Sequence, residues 1–351
     1  MNILYICGTL NQTTQMHQIA SHLPEYENHF TPYYGDYLIR WLSRHGFLEF
    51  TILGNKMRTR ALAYMRQHNL NIDDHGIAHE YDLVLTCQDL IVPRNIRSRK
   101  LVLVQEGMTD PEGFAYHLVK HLRLPRYFAS TSVTGLSDRY DYFCVASNGY
   151  RDLFIDKGVR PEKLVVTGIP NFDNCAQYLE NDFPHRDYVL VATSDTRETF
   201  RYENRRKFIR QCVDIAAGRT LIFKLHPNEN HARAAEEIKD EAPGALVYTE
   251  GNTNHMVANC AVLITRFSSV VYVGLALGKE VHSEFDMDEL RAQVPIQNGG
   301  TSAKRIADMC RDFLERGNAP RTRLRTRPVR RSRFTPETWQ RVSRLLFAER
   351  I

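Results

Sequence analysis

The 351-residue sequence contains no apolar run approaching the roughly 18–20 residues needed to cross a bilayer. Residues Met1 to Gly8 open directly on the strand-like NILYIC, with neither a basic leader nor a cleavage site. A cytoplasmic protein is therefore expected. Also missing are the Walker lysine motif and the GxGxxG spacing, which speaks against a P-loop NTPase and against a dinucleotide-dependent dehydrogenase. The seven cysteines (Cys7, Cys87, Cys144, Cys175, Cys212, Cys260 and Cys310) are odd in number, far apart and mostly set among apolar residues. They fit buried reduced thiols better than a zinc site or a disulfide framework.

The basic excess is not spread evenly along the chain. The formal charge is +5, but Arg321, Arg323, Arg325, Arg327, Arg330, Arg331 and Arg333 leave the rest of the chain at −2. A nucleic-acid binder that neutralises many phosphates along a broad surface is disfavoured, and no nucleic-acid partner is expected. The segment Arg321–Arg333 has two candidate roles: peripheral attachment to an anionic membrane leaflet, or pairing with the acidic body.

Short β-branched runs alternate with amphipathic stretches, the pattern of parallel strands joined by crossover helices. Strands are expected near 2–6, 49–53, 83–86, 101–104, 142–145 and 164–167, then near 189–192, 221–225, 245–248 and 262–265, with a weaker one at 280–282. Pro170, Asn171, Asn174 and Pro184 break the periodicity between the two sets. The expected organisation is two Rossmann-like, doubly wound α/β domains facing each other across a cleft, at residues 1–175 and 186–320. Residues 321–351 would form a basic connector and a last helix returning to the first domain. Ser147 and Gly158 bracket one helix as N-cap and C-terminal glycine, and Thr301 or Ser302 starts another.

In open α/β sheets ligands bind beyond the carboxyl ends of the strands. Four such junctions carry unusual residues. In LIFKLHPNEN, Lys224 interrupts an apolar strand, and Pro227 holds His226 rigidly at the rim, where an imidazole can meet a phosphate or protonate a leaving group. In VLITRFSSVV, Ser268 and Ser269 enter a helix, an arrangement that can bind phosphate or simply cap. In LVLVQEGMTDPEG, Glu106 is a candidate general base, with Asp110 and Glu112 as competitors, and Gly107 admits close approach. Gly8 and Thr9 follow the first strand as a small loop entering a helix. His117 and His121 lack the acid and third ligand of a metalloprotease helix, and Asp286 or Asp288 reads as a helix cap, so no metal site is expected.

The strand-end KLHP, the strand-to-helix SS and the acid-Gly pair together resemble GT-B type glycosyltransferases. The likeness is to bacterial capsule and cell-wall polysaccharide enzymes: sialyltransferase-like, Kdo-transferase-like and CDP-glycerol glycerophosphotransferase-like proteins. KLVVTGIPNFDN and LITRFSSVVYVGLALGKEV also resemble non-hydrolysing UDP-N-acetylglucosamine 2-epimerases, which share the architecture. The likeness covers residues 142–173 and 189–314 and is loose before them.

The resemblance implies a metal-independent, inverting transferase that takes a CMP- or CDP-linked sugar or CDP-glycerol as donor, a glycan or lipid-linked molecule as acceptor, and no resident cofactor. It places His226, Lys224, Pro227, Ser268, Ser269, Gly8 and Thr9 around the donor phosphate and nucleotide, and it makes Glu106 the base. This chain carries Gln105 where those transferases show a second acid, and it has no HGT motif of the glycerophosphotransferases. An epimerase acting without acceptor, or a non-catalytic nucleotide- or glycan-binding subunit, are the alternatives.

Overall fold

The computed structural model describes residues 1–49, 51–122, 126–198 and 203–316. Strands β1 (Asn2–Cys7), β2 (Glu27–Pro32), β3 (Leu83–Thr86), β4 (Lys100–Val104), β5 (Tyr142–Val145) and β6 (Leu164–Val166) form one sheet. Strands β7 (Val189–Ala192), β8 (Leu221–Lys224), β9 (Leu246–Tyr248), β10 (Val262–Thr265) and β11 (Glu280–His282) form a second. Their orders are β2-β1-β3-β4-β5-β6 and β11-β10-β7-β8-β9, and every pairing is parallel. Parallel strands need crossovers, which the helices supply. These are α1 (Leu10–Ala20), α2 (Tyr37–Arg44), α3 (Asn55–Gln67), α4 (Phe114–Leu122), α5 (Asn148–Lys157), α6 (Arg205–Ala216), α7 (His231–Glu241), α8 (Thr253–Asn259), α9 (Val270–Ala276), α10 (Met287–Gln293) and α11 (Ser302–Glu315).

Each sheet has a topological switch point, between β1 and β3 in the first and between β7 and β10 in the second. Such points open a crevice at the carboxyl edge. The central strands are buried on both faces, which is why they read as unbroken apolar runs.

One strand departs from expectation. The second strand lies at Glu27–Pro32, whereas the stretch expected as a strand near residues 49–53 is turn, closed by Gly54 N–H donating to the Thr51 carbonyl at 3.0 Å. Leu48 and Ile52 still pack against the core from that turn, so their apolar character reflects burial without strand pairing. β2 is an edge strand, and its polar ENHFTP, with proline last, is tolerated because its outer side makes only a single bridge, between Phe30 and Ile72.

The helix caps follow the expected chemistry. The Ser147 hydroxyl accepts from Tyr150 N–H at the start of α5, and Gly158 closes that helix at φ 104°. Asp286 caps α10, accepting from Asp288 and Glu289 N–H. The first turn of α11 is capped from a distance: Ser302 N–H donates to the buried Asp173 carboxylate at 2.7 Å. The apolar face of α11 (Ala303, Ile306, Ala307, Cys310, Leu314) then joins Ile3, Tyr5 and Val102 of the first sheet in one core. The chain thus returns to the first sheet one helix earlier than expected, inside the stretch assigned to the second domain. The segment Arg321–Arg333 and the final expected helix lie outside the described residues.

A second core joins the two sheets directly. Val271, Tyr272 and Leu290 pack with Tyr150, Phe154 and Ile169. The Tyr150 and Tyr272 hydroxyls meet at 2.6 Å, and burial raises the pKa of both phenols, so each stays protonated. Gly149 is obligatory here, because a Cβ on it would collide with the Ala292 carbonyl of α10. All seven cysteines are buried and free. No helix among the described residues is long and apolar enough to cross a membrane.

Candidate functional site

A cavity of about 760 Å³ opens at the switch point of the second sheet. That size suits a nucleotide-sized ligand. Lys224, Leu225, His226 and Pro227 line it from the end of β8, Ser268 and Ser269 from the end of β10, and Ala192 and Thr193 from the end of β7. Asn11 and Gln18 of α1 face it from the first sheet's side, and Pro170, Asn171 and Phe172 of the connecting loop close it. That loop ties the two sides together: Asn171 Nδ2 donates to the Asn11 carbonyl at 2.8 Å, and Gln18 Nε2 to Asn171 Oδ1 at 3.4 Å.

His226 is half-exposed and its backbone is fixed. Its N–H is shared between Thr193 Oγ1 at 3.0 Å and Glu229 Oε2 at 3.1 Å, and its carbonyl meets His231 Nε2 at 3.1 Å. The ring is oriented too, because Nδ1 accepts from Asn228 N–H at 3.2 Å. That bond leaves the proton of the neutral imidazole on Nε2. Asp195 Oδ2 stands 3.7 Å from Nδ1.

Lys224 lies on the cavity wall but is already engaged. Its buried ammonium donates to the Leu225 and Thr249 carbonyls, each at 3.0 Å, which uses two of its three donors. Burial lowers its pKa, against the pull of Glu250. Lys224 therefore props the strand end and contributes charge from within the wall. Ser269 occupies the N-cap position of α9, yet its hydroxyl makes no capping bond and stays available to a ligand.

Behind this rim lies a charged network that sequence spacing did not disclose. The Glu229 carboxylate, almost fully buried, accepts from the Thr193 hydroxyl and from Arg205 as well as from His226 N–H. Arg205 is also 3.2 Å from Glu203, and Glu203 is 3.3 Å from Arg266, which forks onto Glu284. The residues before Ser268 are thereby wired to the loop that carries His226.

Glu106 sits at the carboxyl end of β4, beside the cavity lining and not in it. Thr9 Oγ1 donates to Oε1 at 2.6 Å and Gln12 Nε2 to Oε2 at 2.6 Å. Gln12 is itself set by Gly8, whose N–H donates to Gln12 Oε1 at 2.9 Å, and a Cβ on Gly8 would collide with that amide. Of Gly8 and Thr9, expected around the donor phosphate, Thr9 is thus placed against Glu106 and Gly8 against the Gln12 amide that holds it. The signal for this cradle was the GTLNQ segment: a glycine, a hydroxyl N-cap and, one turn on, an amide reaching back.

The competing acids have partners of their own. Asp110 Oδ2 accepts from the Thr131 hydroxyl at 2.7 Å, and Glu112 lies 4.0 Å from the buried Lys157 ammonium. Gln105 is scaffold: its Nε2 donates to the Gly107 carbonyl at 2.8 Å while its Oε1 accepts from Ala146 N–H at 2.9 Å. Only an amide can do both, since a carboxylate has no donor for Gly107. At Gly107 itself a Cβ would meet nothing closer than the Phe172 ring at 3.5 Å, an ordinary contact, so packing does not require glycine there.

No protein-family model and no curated protein matches this chain. Solved structures do match it. The UDP-GlcNAc 2-epimerase of Neisseria meningitidis, bound to UDP-GlcNAc, aligns with TM-score 0.54 at 12% identity over 89% of this chain and 100% of that one. MnaA of S. aureus with UDP aligns at 0.55 and 12% over 89% and 96%. The wall teichoic acid polymerase TagF aligns at 0.51 and 10% over 91% and 90%. At such identities the likeness is one of fold: two Rossmann-like lobes in the GT-B arrangement.

Proposed function

We propose that the protein is a transferase that takes a group from a nucleotide-activated donor held in the 760 Å³ cavity and passes it to an acceptor hydroxyl on the Glu106 side. The observation that carries this reading is the cavity wall, where His226, Ser268 and Ser269 converge with the Lys224 charge behind them and no carboxylate occurs among the lining residues. Such a wall suits a phosphate. The neighbours of known structure, two of them with a uridine nucleotide bound, support a nucleotide-activated substrate as a class.

In this reading the acceptor oxygen attacks the activated carbon or phosphorus of the donor as the bond to the nucleotide phosphate breaks. Glu106 takes the hydroxyl proton, held for that purpose by Thr9 and Gln12. His226 Nε2–H donates to the leaving phosphate oxygen, and the Ser268 and Ser269 hydroxyls stabilise its growing charge. The assignment leaves that charge to protein groups, with no metal and no resident cofactor. The donor base we favour is cytidine, in a CMP-sugar or CDP-glycerol, and the pathway class is cell-surface polysaccharide synthesis at the cytoplasmic face.

An epimerase would need acids around the sugar ring, and the acid-free wall argues against it. Gln105, the main support for a non-catalytic subunit, is fully used in holding β4 to β5, so it says nothing against the base. The test is radiolabelled UDP-N-acetylglucosamine, CMP-sugar and CDP-glycerol incubated with the protein alone and then with glycan acceptors. Donor left intact alone and consumed with acceptor supports the transferase. Epimerised donor without acceptor would overturn it.

A further inference from the structure

The first lobe carries an exposed apolar patch that the nucleotide cavity does not use. Helix α2 turns Ile39 and Leu42 inward, with Ile39 packed against the core and Ser43 Oγ donating to the Leu53 carbonyl at 2.7 Å. Its opposite face presents Tyr37, Leu38 and Trp41, which are 79%, 65% and 45% exposed, and Phe47 follows at 59%. Phe47 stacks on Trp41 with ring centroids 6.0 Å apart at 19°, and His45 lies 4.4 Å from the same indole. By helical spacing Arg40 and Arg44 flank this aromatic face, and Lys56 and Arg60 are exposed on α3. Residues 37–66 hold six cations and one acid, a local charge of +5 equal to that of the whole chain. Arg40, Arg44, Lys56 and Arg60 form no ion pair among the described residues. Singly exposed apolar residues are ordinary; four close together in the chain and edged by the unpaired Arg40 and Arg44 are not.

We infer that α2 and the turn after it form a docking surface for an anionic bilayer, with the aromatic rings at headgroup depth and the arginines on lipid phosphates. Aromatic and aliphatic side chains on one helical face, edged by cations, are the composition of interfacial membrane helices. Charge decides the occupant. A second copy would meet this patch through a two-fold axis, which sets +5 against +5, whereas an anionic surface complements it. Placement agrees with a lipid-linked acceptor. β2 and β4 are parallel, so the loop into α2 leaves the same sheet edge as Glu106, three strands or about 14 Å away. The inference does not depend on the nucleotide reading, because docking is measured without donor.

The sequence has two tryptophans, Trp41 and Trp339, so a Trp339→Phe variant of the full chain makes Trp41 the sole indole reporter. With vesicles of brominated-chain phosphatidylglycerol, Trp41 emission should shift to the blue and be quenched. Pure phosphatidylcholine vesicles should leave it unchanged. In sedimentation, Arg40→Gln/Arg44→Gln should bind roughly 30-fold more weakly, at about 1 kcal/mol per cation. Tyr37→Ser/Leu38→Ser/Trp41→Ser/Phe47→Ser should lose binding with its melting temperature intact. Replacing the seven arginines of 321–333 by glutamine should leave Trp41 quenching in place. Unquenched Trp41, retained binding in the four-serine variant, or quenching that vanishes with the distal arginines would each overturn the inference. So would a lipid-free blue shift that grows with protein concentration, which would make the patch an interface between copies.

Discussion

The two rims that face the cleft are built on different physics. On the first sheet, Glu106 is held by neutral groups, the Thr9 hydroxyl and the Gln12 amide, and the amide of Gln105 beneath it joins two strands. On the second sheet, the loop of His226 rests on buried charges, with Glu229 bonded at once to Arg205, Thr193 and the His226 backbone. A neutral cradle positions one carboxylate at little cost and can be loosened locally. A buried ionic network is all or nothing, because removing one member strands another charge away from water. The Glu106 rim is thus adjustable, whereas the His226 rim is rigid and part of the fold.

That contrast can be broken at its strongest point first. Arg205→Ala leaves the Glu229 side chain buried without its cation and Glu203 with Arg197 and Arg266 alone, and the cost should be about 3–5 kcal/mol in urea denaturation. A loss below ~1 kcal/mol would mean that the network is solvated and the two rims do not differ. Gln105→Glu tests the neutral rim. It removes the donor to Gly107 and should destabilise by about 1–3 kcal/mol; unchanged stability would show that a second acid fits there freely. Thr9→Val removes the α1 cap and one Glu106 bond together, and should cost about 1 kcal/mol while lowering turnover without raising KM.

The smallest effect concerns pH. Burial depresses the pKa values of His17 and His29 below the ordinary 6.5, helped by His68 and His79 respectively. Both stand by the β2 edge, where His17 packs edge-on to Phe30. A lowered folded pKa means that the stability from the neutral rings is complete above about 6.5 and is lost as pH falls through the folded values. The melting temperature should therefore decline from pH 7 to pH 5, and His17→Gln/His29→Gln should flatten that slope. An unaltered slope would assign it to other groups.

Much of the fold was legible because fully buried parallel strands leave uninterrupted apolar runs, as at β3, β7 and β10. The polar edge strand β2 left no such trace, and the turn at Leu48–Gly54 imitated one through residues buried for packing alone. Periodicity showed that α11 has an apolar face; it carries no information on which sheet covers that face, and the structure assigns it to the first. In the site, the strand-end residues His226, Ser268 and Ser269 were legible from their junctions and share one cavity. Glu229 and Arg205 were not, since nothing in their spacing marks them as partners. Gln105 stood out as a departure, but its reason is a pair of backbone contacts, one to Gly107 two residues on and one to Ala146 that exists only once β4 and β5 lie side by side.

The central claim is that the His226 wall binds a nucleotide phosphate. It is tested most directly by calorimetric titration of CMP, CDP, UDP and GDP into the wild-type protein and into His226→Ala. The account predicts that a pyrimidine nucleotide binds the wild type and binds the variant on the order of tenfold or more weakly, in line with loss of a charge-assisted phosphate contact. Equal affinity in both proteins, or no heat with any of the four nucleotides, would contradict it.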